Sequence, residues 1–330
     1  MKDKVFIIAE LSANHNNDFD LAVKTVEAIA KTGADAIKVQ TYTPDSLTLD
    51  VDNKFFGPRE TGLWKGRTPY ELFQEASMPY EWQPKLKKIA NDLGLVFFSS
   101  PFDKEGVDFL ESIKVPLYKI ASLEITDIPL IKYVASKGKP IIMSTGVAEL
   151  TDIELAIKTC KSVGNNDITL LKCTAEYPAP FNKANLRTIP DMREKFEVKV
   201  GVSDHTMGST VPIVAVALGA TVVEKHFILN RKLGGPDAAF SMEPGEFKSM
   251  VQGVREAELS LGTISYQVSD ESKLRRRSIF VTKDLSIGEV ITDSHIKVIR
   301  PGNGIHPKEF KNIIGRKANR TYVKGEPFSY

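Results

Sequence analysis

Cysteine is scarce in this chain: Cys160 and Cys173 are the only two among 330 residues. They form neither a close pair nor a metal-binding motif, so a disulfide framework and a cysteine-based metal site are both disfavoured. Such sparse cysteine usage is typical of proteins in a reducing compartment. We therefore expect a cytoplasmic location.

Long apolar runs and blocks of like charge are also missing. No apolar stretch approaches the ~18 residues that a membrane span needs, and the apolar part of "MKDKVFIIAE" (1–10) is too short for a signal peptide. The formal net charge is +2, and the densest basic cluster, "KLRRR" (273–277), is typical of a solvated connection. These absences disfavour membrane insertion, secretion and nucleic-acid binding.

What the sequence does contain is a regular alternation of short apolar runs with longer segments of helical spacing. Eight runs rich in Val and Ile are predicted as buried strands, at 4–12, 35–42, 95–102, 116–122, 140–146, 168–175, 198–206 and 221–227. Helices are predicted at 20–32, 81–93, 104–113, 127–137, 151–163, 210–219 and about 244–261. This alternation predicts an α/β fold, a closed (β/α)₈ TIM barrel at 1–262.

The pattern changes after residue 262. A polar stretch at 263–275 is predicted as a linker, and a small, mostly β domain is predicted at 276–330, where 293–299 and 306–314 could hold short helical turns. A domain of this size cannot bury a large core alone, so we expect it to dock on a barrel, its own or a neighbour's. Within the barrel, the long segment 43–80 is predicted as an active-site loop with a short helix near 68–77.

Polar residues fall at the carboxyl ends of all eight predicted strands. In chain order these are Glu10, Lys38, Gln40, Ser99, Ser100, Lys119, Ser122, Ser144, Thr145, Lys172, Cys173, Ser203, Asp204, His205, Glu224, Lys225 and His226. Buried strands should end in apolar residues unless the polar groups have a task, and the carboxyl face of a TIM barrel is where active sites lie. The pattern therefore predicts a catalytic face.

Two kinds of chemistry are suggested by these residues. His205 and His226 end adjacent strands about 4.8 Å apart, so their imidazoles could share a divalent metal that acts as a Lewis acid. Glu10 is a candidate general acid or base. A basic, hydroxyl-rich group suits a phosphate or carboxylate ligand, and its members are Lys38, Lys119, Ser100, Ser122 and Ser203.

The segment "VSDHT" (202–206) also holds the residue types of a hydrolase triad. Ser203 and His205 would point the same way along one strand but about 7 Å apart, and no G-x-S-x-G nucleophile elbow is present. A triad is therefore disfavoured. Asp204 is expected to point to the other face of the strand or to act behind its neighbours.

Motifs along almost the whole chain resemble the sialic acid synthase family. They are "AELSANHN" (9–16), "IKVQTYTPDSLTL" (37–49), "FFSSPF" (97–102), "YKIASLE" (118–124), "LLKCTAEYPAP" (170–180), "GVSDHT" (201–206), "EKHF" (224–227) and "RPGNGI" (300–305). The resemblance implies a TIM barrel followed by an antifreeze-protein-like (SAF) domain. It also implies a transferase that condenses phosphoenolpyruvate with an N-acylated hexosamine to give a nine-carbon 2-keto acid and phosphate.

Within that family, "ELSANH", "QTYTPDSLTL" and "GLW" (62–64) look like the branch that makes pseudaminic acid, a sugar of cell-surface glycans and glycosylated flagellin. Its sugar substrate would be 2,4-diacetamido-2,4,6-trideoxy-altrose. Neuraminate and legionaminate synthases, which use N-acetylmannosamine or a related diacetamido sugar, more usually have Gly at the position of Ser12. A less polar sugar pocket is expected, and its candidates from the long loop are Phe55, Phe56, Leu63, Trp64 and Tyr70, which could instead only pack the loop onto the barrel.

The resemblance also implies roles for individual residues. His205 and His226 match ligands of a divalent metal (Mn²⁺, Mg²⁺ or Co²⁺), Glu10 matches the general acid or base, and the basic group matches the phosphoenolpyruvate site. Sugar-side positions are matched by Gln40, Glu124, Tyr177 and Asp237. Arg300 matches an arginine that the small domain donates to the partner subunit's active site in a domain-swapped homodimer. Ala175 is a departure, since neuraminate enzymes can carry a phosphate-contacting Asn there.

Two other classes of function stay open on the residues alone. A metal-dependent aldolase on the same barrel would use pyruvate itself, and a sugar-binding protein without enzymatic activity would not depend on Glu10 or His205.

Overall fold

The structure, a computed structural model, describes residues 4–330. It divides into two compact units, one that ends at Gly262 and one that begins at Thr263. In the first unit, eight parallel strands form a closed barrel in chain order. The strands are β1 (Phe6–Glu10), β2 (Ala36–Thr41), β3 (Val96–Pro101), β4 (Tyr118–Ile120), β5 (Ile141–Ser144), β6 (Ile168–Cys173), β7 (Lys199–Asp204) and β8 (Val222–His226). The predicted TIM barrel is therefore confirmed.

Helices follow the strands. They are α1 (Phe19–Ala30), α2 (Pro44–Leu47), α3 (Pro69–Ala76), α4 (Gln83–Asp92), α5 (Lys104–Ser112), α6 (Ile128–Ala135), α7 (Leu150–Ser162), α8 (Thr188–Phe196), α9 (Thr210–Ala217) and α10 (Pro244–Leu261). The short helix expected near 68–77 is α3, whereas α8 was not predicted. Its proline and its run of charged residues disguise the helical spacing, yet Pro190 lies in the first turn, where proline is tolerated. No helix within residues 4–330 is long and apolar enough to cross a membrane.

The strands are apolar on both faces because the barrel buries both. Outward residues such as Ile7, Ile37 and Val223 pack against the helices. Inward residues form a second apolar layer, which contains Ile8, Ala36, Phe98, Ile142, Leu171 and Val222. Gly201 is required in this interior, since a Cβ there would lie 2.4 Å from the carbonyl oxygen of Val222. This layer closes the barrel interior below the polar strand ends.

The second unit has its own small core, formed by residues that include Ile279, Ile296, Ile313, Tyr322 and Phe328. Its elements are α11 (Asp270–Leu274), β9 (Ser278–Val281), β10 (Ile296–Ile299) and α12 (Phe310–Ile313), with β9 and β10 antiparallel.

Two segments of this unit differ in detail from the sequence predictions. The segment 293–299, which could have held a short helical turn, contains β10, in which buried Ile296 precedes exposed Lys297, an alternation typical of a strand. The predicted linker contains α11, which the Ser269 side chain caps by accepting a hydrogen bond from the amide of Ser272.

Candidate active site

The barrel interior changes from apolar to polar near the carboxyl ends of the strands. Side chains alternate along a strand, so inward residues continue at every second position. Above Ile8 comes Glu10, above Ala36 comes Lys38, and the same step leads to Ser100, Ser144, Cys173 and Glu224. The fold thus gathers most of the predicted strand-end residues at one end of a closed barrel.

Glu224 lies at the centre of a buried cluster of charges. Its Oε1 accepts hydrogen bonds from Lys119 Nζ and from Ser203 Oγ, each at 2.9 Å. Its Oε2 lies 3.7 Å from Lys38 Nζ, and Lys38 also forms an ion pair with Glu10. These charged side chains are at most 6% exposed. Of the residues predicted to bind an anion, Lys38, Lys119 and Ser203 are therefore gathered around a carboxylate.

Glu224 was recognised in the sequence only as one more polar strand end. Its position along the strand could have identified it. Glu224 lies two residues from His226, so both share the inward face of β8. Ser100 completes this side of the cluster, with its Oγ 3.4 Å from Lys38 Nζ.

The two carboxyl groups of the cluster have very different proton affinities. Burial raises the pKa of Glu10 to about 7, although Lys38 acts in the opposite direction. Burial would also raise the pKa of Glu224, but the ammonium groups of Lys119 and Lys38 outweigh it and lower that pKa to about 2. Glu224 is therefore a permanent anion, whereas Glu10 can gain or lose a proton near neutral pH.

The two predicted metal ligands lie side by side, with ring centroids 5.3 Å apart. His205 Nδ1 is 2.9 Å from the carbonyl oxygen of Thr174, so Nδ1–H donates there and the Nε2 lone pair is free. His226 is kept neutral, because burial, helped by His205, lowers its pKa well below the usual value. Two buried imidazoles of this kind suit a divalent cation.

Other ligands would have to complete such a site. Among residues 4–330, no group of three or more His, Cys, Asp or Glu side chains is arranged to hold a metal ion. Substrate or water oxygens would have to supply the remaining positions. Burial works to lower the pKa of His205, but the nearby Cys173 thiol outweighs it and raises that pKa. A cation would therefore compete with a proton at His205.

Aromatic rings border the imidazoles. The Tyr177 ring lies 4.3 Å from that of His205 and 4.9 Å from that of Phe240, which in turn lies 5.0 Å from His226. Trp64, from the long loop, packs 6.1 Å from Tyr177 and donates from Nε1 to the carbonyl oxygen of Pro236 at 3.1 Å. The loop therefore reaches the site through Trp64.

The other loop candidates differ in exposure, and one ring beside the imidazoles was not predicted. Phe55 is 74% exposed and Leu63 50% exposed, while Phe56 and Tyr70 are half-buried. Phe240 was not singled out in the sequence, since it lies in an irregular segment after β8 that no strand pattern marks.

The remaining sugar-side candidates lie at the same end of the barrel. Gln40 Nε2 donates to Glu10 Oε1 at 3.3 Å. Asp237 lies 3.9 Å from His226 Nδ1 and accepts from the Ala13 amide at 3.3 Å. Burial raises the pKa of Glu124 to about 7, and its buried Oε2 has no hydrogen-bond partner.

Three other predicted residues have distinct settings. Ser122 Oγ accepts from the amide of Gly146 at 3.1 Å. Ser12 adopts a φ of 48°, a left-handed conformation that glycine adopts without strain, and its side chain hydrogen-bonds to Asp237. Arg300 follows β10 in the second unit and is exposed there.

Comparisons with known proteins agree on one family. The NeuB family model matches residues 25–266, and the SAF domain model matches residues 276–330. A protein of Helicobacter pylori named pseudaminic acid synthase is 46% identical over 327 residues, covering 98% of this chain and 96% of that protein. A Campylobacter jejuni protein of the same name is 43% identical over 326 residues, covering 98% and 95%. The crystal structure of N-acetylneuraminic acid synthetase from Leptospira borgpetersenii, in complex with citrate, superposes with a TM-score of 0.73 at 31% identity, covering 82% of this chain and 90% of that chain.

Proposed function

The chain belongs to the NeuB family, and on that premise we propose that it is a transferase that makes pseudaminic acid. It condenses phosphoenolpyruvate with 2,4-diacetamido-2,4,6-trideoxy-β-L-altropyranose and water, and it releases phosphate. The observation that carries the reaction class is the pair of buried lysines, Lys38 and Lys119, beside two imidazoles at one barrel end. The choice of sugar is supported by relatives of 43–46% identity that are named pseudaminic acid synthase.

Phosphoenolpyruvate binds where the ammonium groups already lie. Lys38 and Lys119 are held in place before the substrate arrives, so their charge offsets the phosphate and carboxylate without reorganisation. Ser100, Ser122 and Ser203 add hydroxyl donors around the same anion. Because Glu224 holds both lysines and accepts from Ser203, it sets the shape of this pocket.

The bond-forming step joins C3 of phosphoenolpyruvate to the aldehyde carbon of the open-chain sugar. The enol electron pair forms the new C–C bond, and the aldehyde oxygen takes up a proton. Water then adds to the oxocarbenium carbon at C2, and the C2–O bond to phosphate breaks. With a pKa near 7, Glu10 suits the transfer of the sugar or water proton.

His205 and His226 would hold a divalent cation, Mn²⁺, Mg²⁺ or Co²⁺, which when bound supplies Lewis-acid polarisation of the aldehyde oxygen. The sugar would be contacted by Gln40, Glu124, Tyr177 and Asp237, the positions that match sugar-side residues of the family. An apolar wall is formed by Tyr177, Phe240 and Trp64, which suits a sugar that has a methyl group in place of the hydroxymethyl group at C5.

The proposal includes a homodimer in which Arg300 of one subunit completes the site of its partner. Support comes from the segment that leads into the second unit, where Leu259, Ile264 and Tyr266 are 83%, 93% and 94% exposed. Large apolar side chains so exposed are expected to be covered in an assembly. A cytoplasmic location fits the two free thiols, Cys160 and Cys173.

The test is phosphate release from phosphoenolpyruvate with a panel of sugars and added Mn²⁺. We expect turnover with the diacetamido altrose sugar and much less with N-acetylmannosamine or the legionaminate precursor. Turnover with N-acetylmannosamine alone would contradict the assigned sugar. Pyruvate offered in place of phosphoenolpyruvate tests for an aldolase, which would use it. Glu10→Ala and His205→Ala should abolish turnover, whereas the function of a sugar-binding protein would not depend on these two residues.

A further inference from the structure

Behind the two imidazoles lies a second buried ion pair. Asp204 and Lys225 are cross-strand partners at the ends of β7 and β8. Lys225 Nζ lies 2.5 Å from Asp204 Oδ2, and the two side chains are 0% and 2% exposed. They point out of the barrel toward the helices, opposite to Ser203 and Glu224, so they do not line the substrate pocket.

Both members of this pair bond to Thr206, the residue that follows His205. Asp204 Oδ1 accepts from the amide of Thr206 at 2.9 Å, and Oδ2 accepts from the Thr206 hydroxyl at 3.1 Å. Lys225 Nζ also donates to the carbonyl oxygen of Thr206. His205 lies one residue past the end of β7, where the ladder to β8 has ended. Its carbonyl oxygen accepts a hydrogen bond from the amide of Ala179, and the contacts of the ion pair hold the next residue, Thr206.

The two strand ends are thus joined on both faces of the sheet directly below the imidazoles. Ser203 bonds to Glu224 on the inside, and Asp204 bonds to Lys225 on the outside, in successive rows of the same register. The next residues along the two strands are His205 and His226. These two rows therefore fix the strand ends from which both rings project, while the His205 ring is also held by its Nδ1 bond to the carbonyl oxygen of Thr174.

A buried ion pair gives weak evidence for stability, because desolvation of both charges offsets their attraction. Its best-attested use is to fix register. Apolar side chains at these two positions would fill the same space without the cost of burying charge. A role in geometry therefore explains the ion pair better than a role in stability.

We propose that Asp204 and Lys225 are positioning residues that set the spacing of His205 and His226. This inference rests on the proposed function only for the identity of the ion that the two rings bind. The spacing of the rings is a property of the chain without metal. Neither side chain faces the barrel interior, where the proposed substrate pocket lies.

The test uses the full-length chain with Mn²⁺ as the probe. Asp204→Asn and Lys225→Met should each weaken Mn²⁺ binding in calorimetry about tenfold, the effect typical of residues that orient metal ligands. The ring Hε1 resonances of His205 and His226, assigned by their loss in His205→Ala and His226→Ala, should shift in the metal-free variants.

Asp35→Asn is the matched control. Asp35 also bonds to a cation, Arg255, at 2.5 Å, but it precedes β2 at the opposite end of the barrel. It should lower stability while leaving Mn²⁺ affinity and both ring resonances unchanged.

The outcomes separate the two proposals. Wild-type Mn²⁺ affinity and unshifted resonances in Asp204→Asn would overturn this inference alone. If the wild-type chain binds no Mn²⁺, the proposed metal site is wrong. If the Hε1 resonances are also unshifted in Asp204→Asn and Lys225→Met, the positioning role is wrong as well. If Asp204→Asn does not fold, Thr206→Val is the substitute, because it removes one hydrogen bond to Asp204. This variant should also weaken Mn²⁺ binding. An unchanged Mn²⁺ affinity of Thr206→Val would overturn the inference.

Discussion

Replacing Glu224 with glutamine tests the charge balance of the site. The change keeps the shape of the side chain but leaves Lys38 and Lys119 buried with Glu10 as their acidic neighbour. At an effective dielectric of about 20, a pair of charges 2.9 Å apart attracts by about 6 kcal/mol and a pair 3.7 Å apart by about 4.5 kcal/mol. Desolvation offsets part of this attraction, and removal of one partner from a buried pair typically costs about 3–5 kcal/mol.

The same change should make the site a better anion trap. With the carboxylate gone, an anion bound to the two lysines no longer faces a like charge. We expect inorganic phosphate to bind Glu224→Gln about tenfold more tightly than wild type, so saturating phosphate should restore about 1.4 kcal/mol of the lost stability. Turnover should fall because the lysines lose the group that positions them.

The assay is urea unfolding followed by circular dichroism, with and without phosphate. Glu111→Gln is the control, since Glu111 pairs with Lys139 at 2.6 Å in a partly exposed setting at the end of α5 and should cost less than about 1 kcal/mol with no phosphate dependence. An equal loss of stability for Glu224→Gln with and without phosphate would refute the assignment of Lys38 and Lys119 to the anion site.

Three further predictions concern other residues. The unfolded chain releases the Glu124 proton near pH 4.5 and the native chain near pH 7, so the Glu124 contribution to the unfolding free energy should fall by about 2–3 kcal/mol between these values. Urea titrations at several pH values should therefore show a loss that is smaller by this amount in Glu124→Gln than in wild type, where Glu10 adds its own loss. Ser12→Gly should be more stable than Ser12→Ala by about 1 kcal/mol, because only glycine relieves the positive φ, and both variants should raise KM for the sugar by freeing Asp237; equal stabilities would contradict the strain. Mixed Arg300→Ala and His205→Ala subunits, each inactive alone, should recover about a quarter of wild-type activity if Arg300 acts in trans, and no recovery would count against the swapped dimer.

Much of the fold could be predicted because its signals are local. Apolar runs such as "IIAE" and "AIKVQ" are long enough to identify the strands, and the change from apolar to polar at their ends identifies the functional face of a barrel. The helix α8 was not predicted because charged residues and a proline interrupt its helical periodicity. The strand β10 was not predicted because four residues carry too little pattern to separate a strand from a turn.

By itself, the sequence determined the barrel, the end at which its chemistry lies, and the candidate residues Glu10, Lys38, His205 and His226, since all of these follow from periodicity and position along a strand. Only the tertiary structure decided which of them interact. The barrel closes β8 onto β1, and this closure brings Glu224 between lysines from β2 and β4, a contact over 105 positions of sequence that no local pattern encodes. It also decided the partner of Asp204. The outward direction of this residue follows from alternation along the strand, but its ion pair with Lys225 depends on the pairing of β7 with β8.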